Sequence, residues 1–173
     1  RKRAEEELIR LSSAVKMSTD SIVISDLDGK IIDVNEATLK MYGADGKGDL
    51  IGKDSFDLIA PEEREKALAG MVDVLEKGYL KGREYHIVTK DGSRIPVEMS
   101  VAIMKDADGK PIGFVAVSRD ISKRKRAEET LRESEEKFRN IFESANDAMI
   151  YLDRSRRILD ANGKAVEVFG GSK

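Results

Sequence analysis

Apolar positions near the start of the chain fall at Ala4, Leu8, Leu11 and Val15, with charged or small polar residues between them. Spacings of four, three and four form a heptad seam, with Leu8 and Val15 at a and Ala4 and Leu11 at d. The pattern predicts an exposed linker helix over residues 1–19. The period then shortens. Ser21–Leu27 and Ile31–Asn35 are short apolar runs around Asp28-Gly29, a dipeptide suited to type I′ hairpin turns because those need positive φ. Asn35 is placed to cap a short helix that carries Leu39 and Tyr42 and stops at Gly43. Ala44–Gly48 reads as a loop and Asp54–Ile59 as a helical turn. Pro61-Glu62-Glu63 opens a longer helix, whose apolar face is expected at Leu68, Met71, Val72 and Leu75 and whose end is at Lys77-Gly78.

Three strands follow: Arg83–Thr89, Arg94–Lys105 and Ile112–Ile121, with Asp91-Gly92 and Asp108-Gly109 between them. Alternation puts Tyr85 and Ile87 on one face, and likewise Val97, Met99, Val101 and Ile103. The last strand presents Phe114, Ala116 and Ser118 on one side and Val115 and Val117 on the other. Apolar residues on both faces mark a central strand. An exit helix is expected from Ser122 to Ser144, with Leu131 and Phe138 at a and Ile141 at d of a second heptad seam.

The opening pattern occurs twice. Arg1-Lys2-Arg3-Ala4-Glu5-Glu6 is repeated as Arg124-Lys125-Arg126-Ala127-Glu128-Glu129, at an offset of 123. Asp20, Asp26, Asp33, Asn35 and Gly43 then match Asp147, Asp153, Asp160, Asn162 and Gly170, at an offset of 127. The chain therefore reads as a linker helix (1–19), one complete module (20–122), a signalling helix (123–144) and the start of a second module (145–173). Both ends read as cut from a longer chain. The two strands of the short copy cannot close a core. They are expected to pair with another chain's sheet edge or to stay poorly ordered.

Composition narrows the chemistry. The 173 residues are 37% charged with a net charge of −2, so no broad field favours nucleic acid or an anionic membrane. There is no cysteine, which excludes disulfides, thiolate nucleophiles and cysteine metal sites. No apolar run is long enough to span a bilayer. The fragment is expected in the cytoplasm without membrane contact, although a longer parent has room for an anchor. No paired carboxylates or nucleophile–base couple predict an enzyme.

Several strings in order resemble the PAS sensor family. Asp33-Val34-Asn35-Glu36-Ala37 with Tyr42-Gly43 is similar to its second strand and first helix, and Leu50-Ile51-Gly52-Lys53 to the next segment. YHIVTKDGS (85–93) is similar to its central strand and hairpin, and GFVAVSRDIS (113–122) to its last strand. The resemblance implies an α+β fold: a five-stranded antiparallel sheet with helices on one face, enclosing a pocket and flanked by amphipathic coiled-coil helices. It also implies a sensory module that dimerises through those helices and controls an output domain. Sensor histidine kinases of two-component systems are the commonest hosts of tandem copies.

Within that frame the candidate pocket lining is Val23, Ser25, Tyr42, Met71, Val72, Tyr85, Ile87, Val97, Met99, Phe114, Ala116 and Ser118. Ser25 and Ser118 are its expected polar groups, so a ligand should be small and mostly apolar. The ligand itself is unknown. Asp120, Ile121 and Ser122 are expected to pass signal from strand to helix, and Leu8, Leu11, Val15, Leu131, Phe138 and Ile141 to line a homodimer. The sole histidine, His86, reads as an outer-face residue; haem-binding relatives carry their ligand on the long helix, which here has none. A cysteinyl-flavin photocycle lacks its cysteine. Asp45 and Asp49 lack the spacing of a calcium loop. The alternative function is a ligand-free relay that holds two subunits together.

Overall fold

The computed structural model describes residues 2–170, the side chains of Ala4 and Leu8 excepted, so the Leu8 seam position lies outside the described residues. The chain divides into two compact units, Arg1–Lys123 and Arg124–Lys173.

In the first unit a helix, α1 (Lys2–Met17), precedes β1 (Ser21–Ser25), β2 (Ile31–Val34) and α2 (Glu36–Tyr42). Then come three short 3-10 turns, α3 (Arg64–Lys77), β3 (Tyr79–Val88), β4 (Arg94–Lys105) and β5 (Pro111–Asp120). The strands form one antiparallel sheet in the order β2-β1-β5-β4-β3. The strand with apolar residues on both faces, β5, sits at its centre. Ile31, Tyr42, Ile59, Tyr85, Ile87 and Val97 form the main core between sheet and helices, and Val74, Leu80 and Phe114 form a second cluster under α3.

Local chemistry explains the element ends. Asn35 caps α2 by accepting a hydrogen bond from the Thr38 amide at 3.0 Å. β3 begins at Tyr79 rather than Arg83, with a break in register around Lys81-Gly82 that interrupts the alternation. The β1–β2 turn is not type I′. Only Gly29 is left-handed (φ +80°), while Asp28 stays on the ordinary side. The Asp26 carboxylate accepts from the amides of Asp28 and Lys30 at 3.0 and 2.8 Å. The result is a type I turn followed by a glycine bulge.

The buried face of α3 also differs from expectation. The helix buries Ala67, Gly70 and Val74, while Leu68, Val72 and Leu75 are 57%, 52% and 64% exposed. Small residues let the helix lie close to the sheet: a Cβ on Gly70 would stand 3.0 Å from the Tyr85 hydroxyl. Hydrophobicity picked the bulkier stripe, whereas close approach selects the smaller one beside it.

The helix α4 (Ser122–Ser144) starts in the last two residues of the first unit and, in the second, leads to β6 (Ile150–Leu152), β7 (Ile158–Ala161) and α5 (Gly163–Phe169). β6 and β7 pair with each other as an antiparallel two-stranded hairpin. Its turn copies that of the first unit, with Arg156 (φ +63°) in the left-handed position that Gly29 occupies there. Phe142 and Ala165 are buried, and the rings of Phe138 and Phe142 stack with centroids 5.5 Å apart.

Candidate functional site

Between α3 and the sheet lies a cavity of about 240 Å³. β1 contributes Val23 and Ser25, β4 contributes Met99 and Val101, and β5 contributes Phe114 and Ala116. Met71, Ala67 and Gly70 cover it from α3, Tyr42 closes it from α2, and Phe56 and Leu58 close it from the 3-10 turn. Two exposed leucines, Leu27 and Leu75, flank its mouth.

Of the residues expected on the lining, Val23, Ser25, Tyr42, Met71, Tyr85, Met99, Phe114 and Ala116 face this space. Ile87 and Val97 are fully buried but pack in the solid core, and Ser118 is buried outside the cavity. Val72 is on the outer face of α3 for the reason given above. Sequence reasoning missed Phe56, Leu58, Ala67 and Gly70. The first two sit on a 3-10 turn whose apolar faces have no strand or α-helix period to reveal them.

Four hydroxyl-bearing side chains line the cavity, those of Ser25, Tyr42, Ser55 and Tyr85. Tyr42 is 3% exposed, and burial pushes its phenol well above the ordinary tyrosine range, so it stays protonated. Its hydroxyl has no hydrogen-bond partner among the described residues, and neither has that of Ser25. No enclosed polar side-chain atom in this set is orphaned, so both hydroxyls open onto the cavity. Tyr85 is held differently: burial raises its phenol, and a hydrogen bond from Arg83 opposes that shift. Lys66 places its ammonium 4.8 Å above the Tyr85 ring centroid.

The central strand leads from the cavity to the exit helix. Phe114 and Ala116 touch the cavity, and the same strand ends at Asp120. The Ile121 amide donates to Pro96 O on β4 at 3.0 Å, and Ile121 is buried. The Asp120 carboxylate then accepts from the Ser122 amide at 2.7 Å, at the first turn of α4. On the flanking helices Leu11, Val15, Leu131, Phe138 and Ile141 are exposed.

The remaining polar candidates are structural. His86 is exposed and its Nδ1 lies 3.1 Å from Glu63 Oε1, which ties the start of α3 to β3. Lys90 places its ammonium between Asp45 and Asp49, 2.8 Å from the latter. A lysine thus stands where a calcium loop would need its cation. Among the described residues no cluster of three or more His, Asp or Glu is placed to hold a metal ion, and no helix is long and apolar enough to cross a membrane.

The first unit is thus a five-stranded antiparallel sheet that encloses a small pocket under one helix. The PAS domain profile matches residues 19–123, and a second PAS domain profile matches residues 136–172. The chain belongs to the PAS domain family. It is 28% identical to sporulation kinase E of Bacillus subtilis over 92% of this chain and 21% of that protein. It is 27% identical to the sensor histidine kinase TmoS of Ectopseudomonas mendocina over 79% of this chain and 14% of that one. The chain thus spans about a fifth or less of these relatives. Among solved structures, a PAS domain from Colwellia psychrerythraea superposes with a TM-score of 0.62 at 28% identity, covering 67% of this chain and 98% of that domain. The PAS domain of an HTR-like protein from Haloarcula marismortui gives 0.54 at 30% identity, covering 69% and 96%.

Proposed function

We propose that this chain is the sensory segment of a sensor histidine kinase, in which a small molecule held in the α3–sheet cavity biases the helix that leaves the sheet. The observation that carries the reading is the coincidence of cavity and exit on one strand. Phe114 and Ala116 would touch the ligand, and a few residues on the same backbone becomes Asp120, Ile121 and α4. A ligand that shifts β5 changes how Ile121 is held by β4 and how Asp120 caps α4. The exposed apolar stripes on α1 and α4 pair with those of a second copy, so the change reaches both subunits of a homodimer. The kinase relatives support this reading for the output domain.

Native mass spectrometry of the purified chain tests it. A bound species at about one per chain, displaced when Ala116→Phe fills the cavity, supports sensing by ligand. An empty wild-type protein that binds no small molecule while its parent kinase stays regulated supports the ligand-free relay.

A further inference from the structure

The lining of the cavity limits what can occupy it. No lysine, arginine or histidine is among the residues lining it, and its one charged group is Asp28 at the rim. Arg83, behind the wall, is engaged by the Tyr85 phenol and by Asp73 at 2.6 Å, so a carboxylate or phosphate would lose its hydration with no free cation to replace it, and would pass an aspartate on the way in. A buried ammonium would find no carboxylate inside. A pure hydrocarbon would leave the Tyr42 and Ser25 hydroxyls without partners. The phenol of Tyr42 is a fixed donor, and the Ser25 hydroxyl can donate or accept. A cavity of about 150 Å³ accommodates benzene, so the 240 Å³ here has room for roughly ten heavy atoms.

Resting on the reading of this cavity as a ligand site, we propose that it takes a neutral one- or two-ring molecule of phenol, alcohol or ketone type. Its single oxygen is bound by the Tyr42 hydroxyl, with Ser25 as the second polar contact, and its apolar body lies against Phe114, Met99 and Met71. Anionic molecules of the same shape are rejected.

Calorimetric titration of the intact chain with 2-naphthol, naphthalene and 2-naphthoate tests the class. The expected result is 2-naphthol binding roughly three- to tenfold tighter than naphthalene, with 2-naphthoate at least about 100-fold weaker than 2-naphthol. Tyr42→Phe should abolish the preference for 2-naphthol and leave naphthalene affinity within about twofold. Ser25→Ala, read the same way, serves if the tyrosine variant melts early. Equal binding of 2-naphthoate and 2-naphthol, or a preference that survives in both variants, overturns the chemical class while leaving the cavity a ligand site. Failure of all three compounds to bind the wild-type chain overturns both.

Discussion

Asn35 and Asn162 make the same four side-chain hydrogen bonds to the backbone in the two units of the chain, and Asn35 accepts one more, from the Thr38 hydroxyl at 2.8 Å. The amide of Asn35 donates to Val15 O and Asp20 O, and its oxygen accepts from Ile22 N and Thr38 N. The amide of Asn162 donates to Phe142 O and Asp147 O, and its oxygen accepts from Met149 N and Ala165 N. Each partner recurs at an offset of 127. One buried side chain therefore ties the end of a lead-in helix, the first strand and the start of the next helix together.

Replacing Asn35 with Asp separates these roles. The carboxylate can still accept from Ile22 and Thr38, but it cannot donate to Val15 O and Asp20 O, and it places charge against two carbonyls. The expected loss is roughly 2–3 kcal/mol, with faster amide exchange confined to the last turn of α1 and the turn after it. Exchange mass spectrometry over residues 11–20 checks this. Unchanged protection there would show that the asparagine does not hold the helix.

Phe114 packs with Val74 and Leu80 on one side and borders the hollow cavity on the other. Phe114→Ala should therefore cost about 2–3 kcal/mol, below the ~3–5 typical of a closed site. Denaturant unfolding gives the value. A loss above that range would mean that the ring is packed on all sides.

The Lys90 clasp is sensitive to acid. Hydrogen bonding by the Lys90 ammonium holds the Asp49 carboxyl below its ordinary value of 3.8. A carboxyl depressed in the folded state contributes its full stability above the unfolded value. That contribution fades as pH falls below about 3.8 toward the lower folded value. The Lys90 contact between the Ala44–Asp49 loop and the β3–β4 turn should then weaken, and Lys90→Met should reduce that pH dependence, leaving the part due to the Asp45 amide and Lys53. Carboxyl carbon shifts of Asp49 followed from pH 5 to pH 2 measure it. A midpoint at the ordinary value in the wild type would contradict the clasp.

The two lead-in helices differ in length by one insertion. Their charged starts repeat at an offset of 123, but Val15 and Phe142, both fastened by an asparagine, repeat at 127. Four extra residues inside a heptad seam are a stutter, adding about 6 Å and about 40° of rotation. Deleting Arg132 through Glu135 in the parent kinase should lock its output in one state, whereas inserting seven residues there should preserve regulation. Autophosphorylation of the two variants decides it; a deletion variant that remains regulated would rule out a role for register.

Where one strong local rule applied, the fold could be read from the sequence. The Asn35 cap, the end of α4 at Ser144 and the central place of β5 all follow from a cap, a heptad or a two-sided strand. The rest depends on how closely elements approach. Ala67 and Gly70 face the sheet because they are small, and they bring Val74 in on the same stripe, which no hydrophobic pattern reveals. Phe56 and Leu58 reach the cavity from a turn without a period. The unpaired state of the Tyr42 hydroxyl depends on which groups fail to reach it, and sequence carries no signal of that.

Amide exchange with and without a saturating cavity ligand tests the central claim most directly, with 2-naphthol as the first probe. Sensing through β5 predicts altered protection at Phe114–Ala116, at Asp120–Ser122 and in the first turns of α4. Protection that changes only around the cavity wall, with Asp120–Ser122 and α4 untouched, would contradict a relay from this cavity to the exit helix.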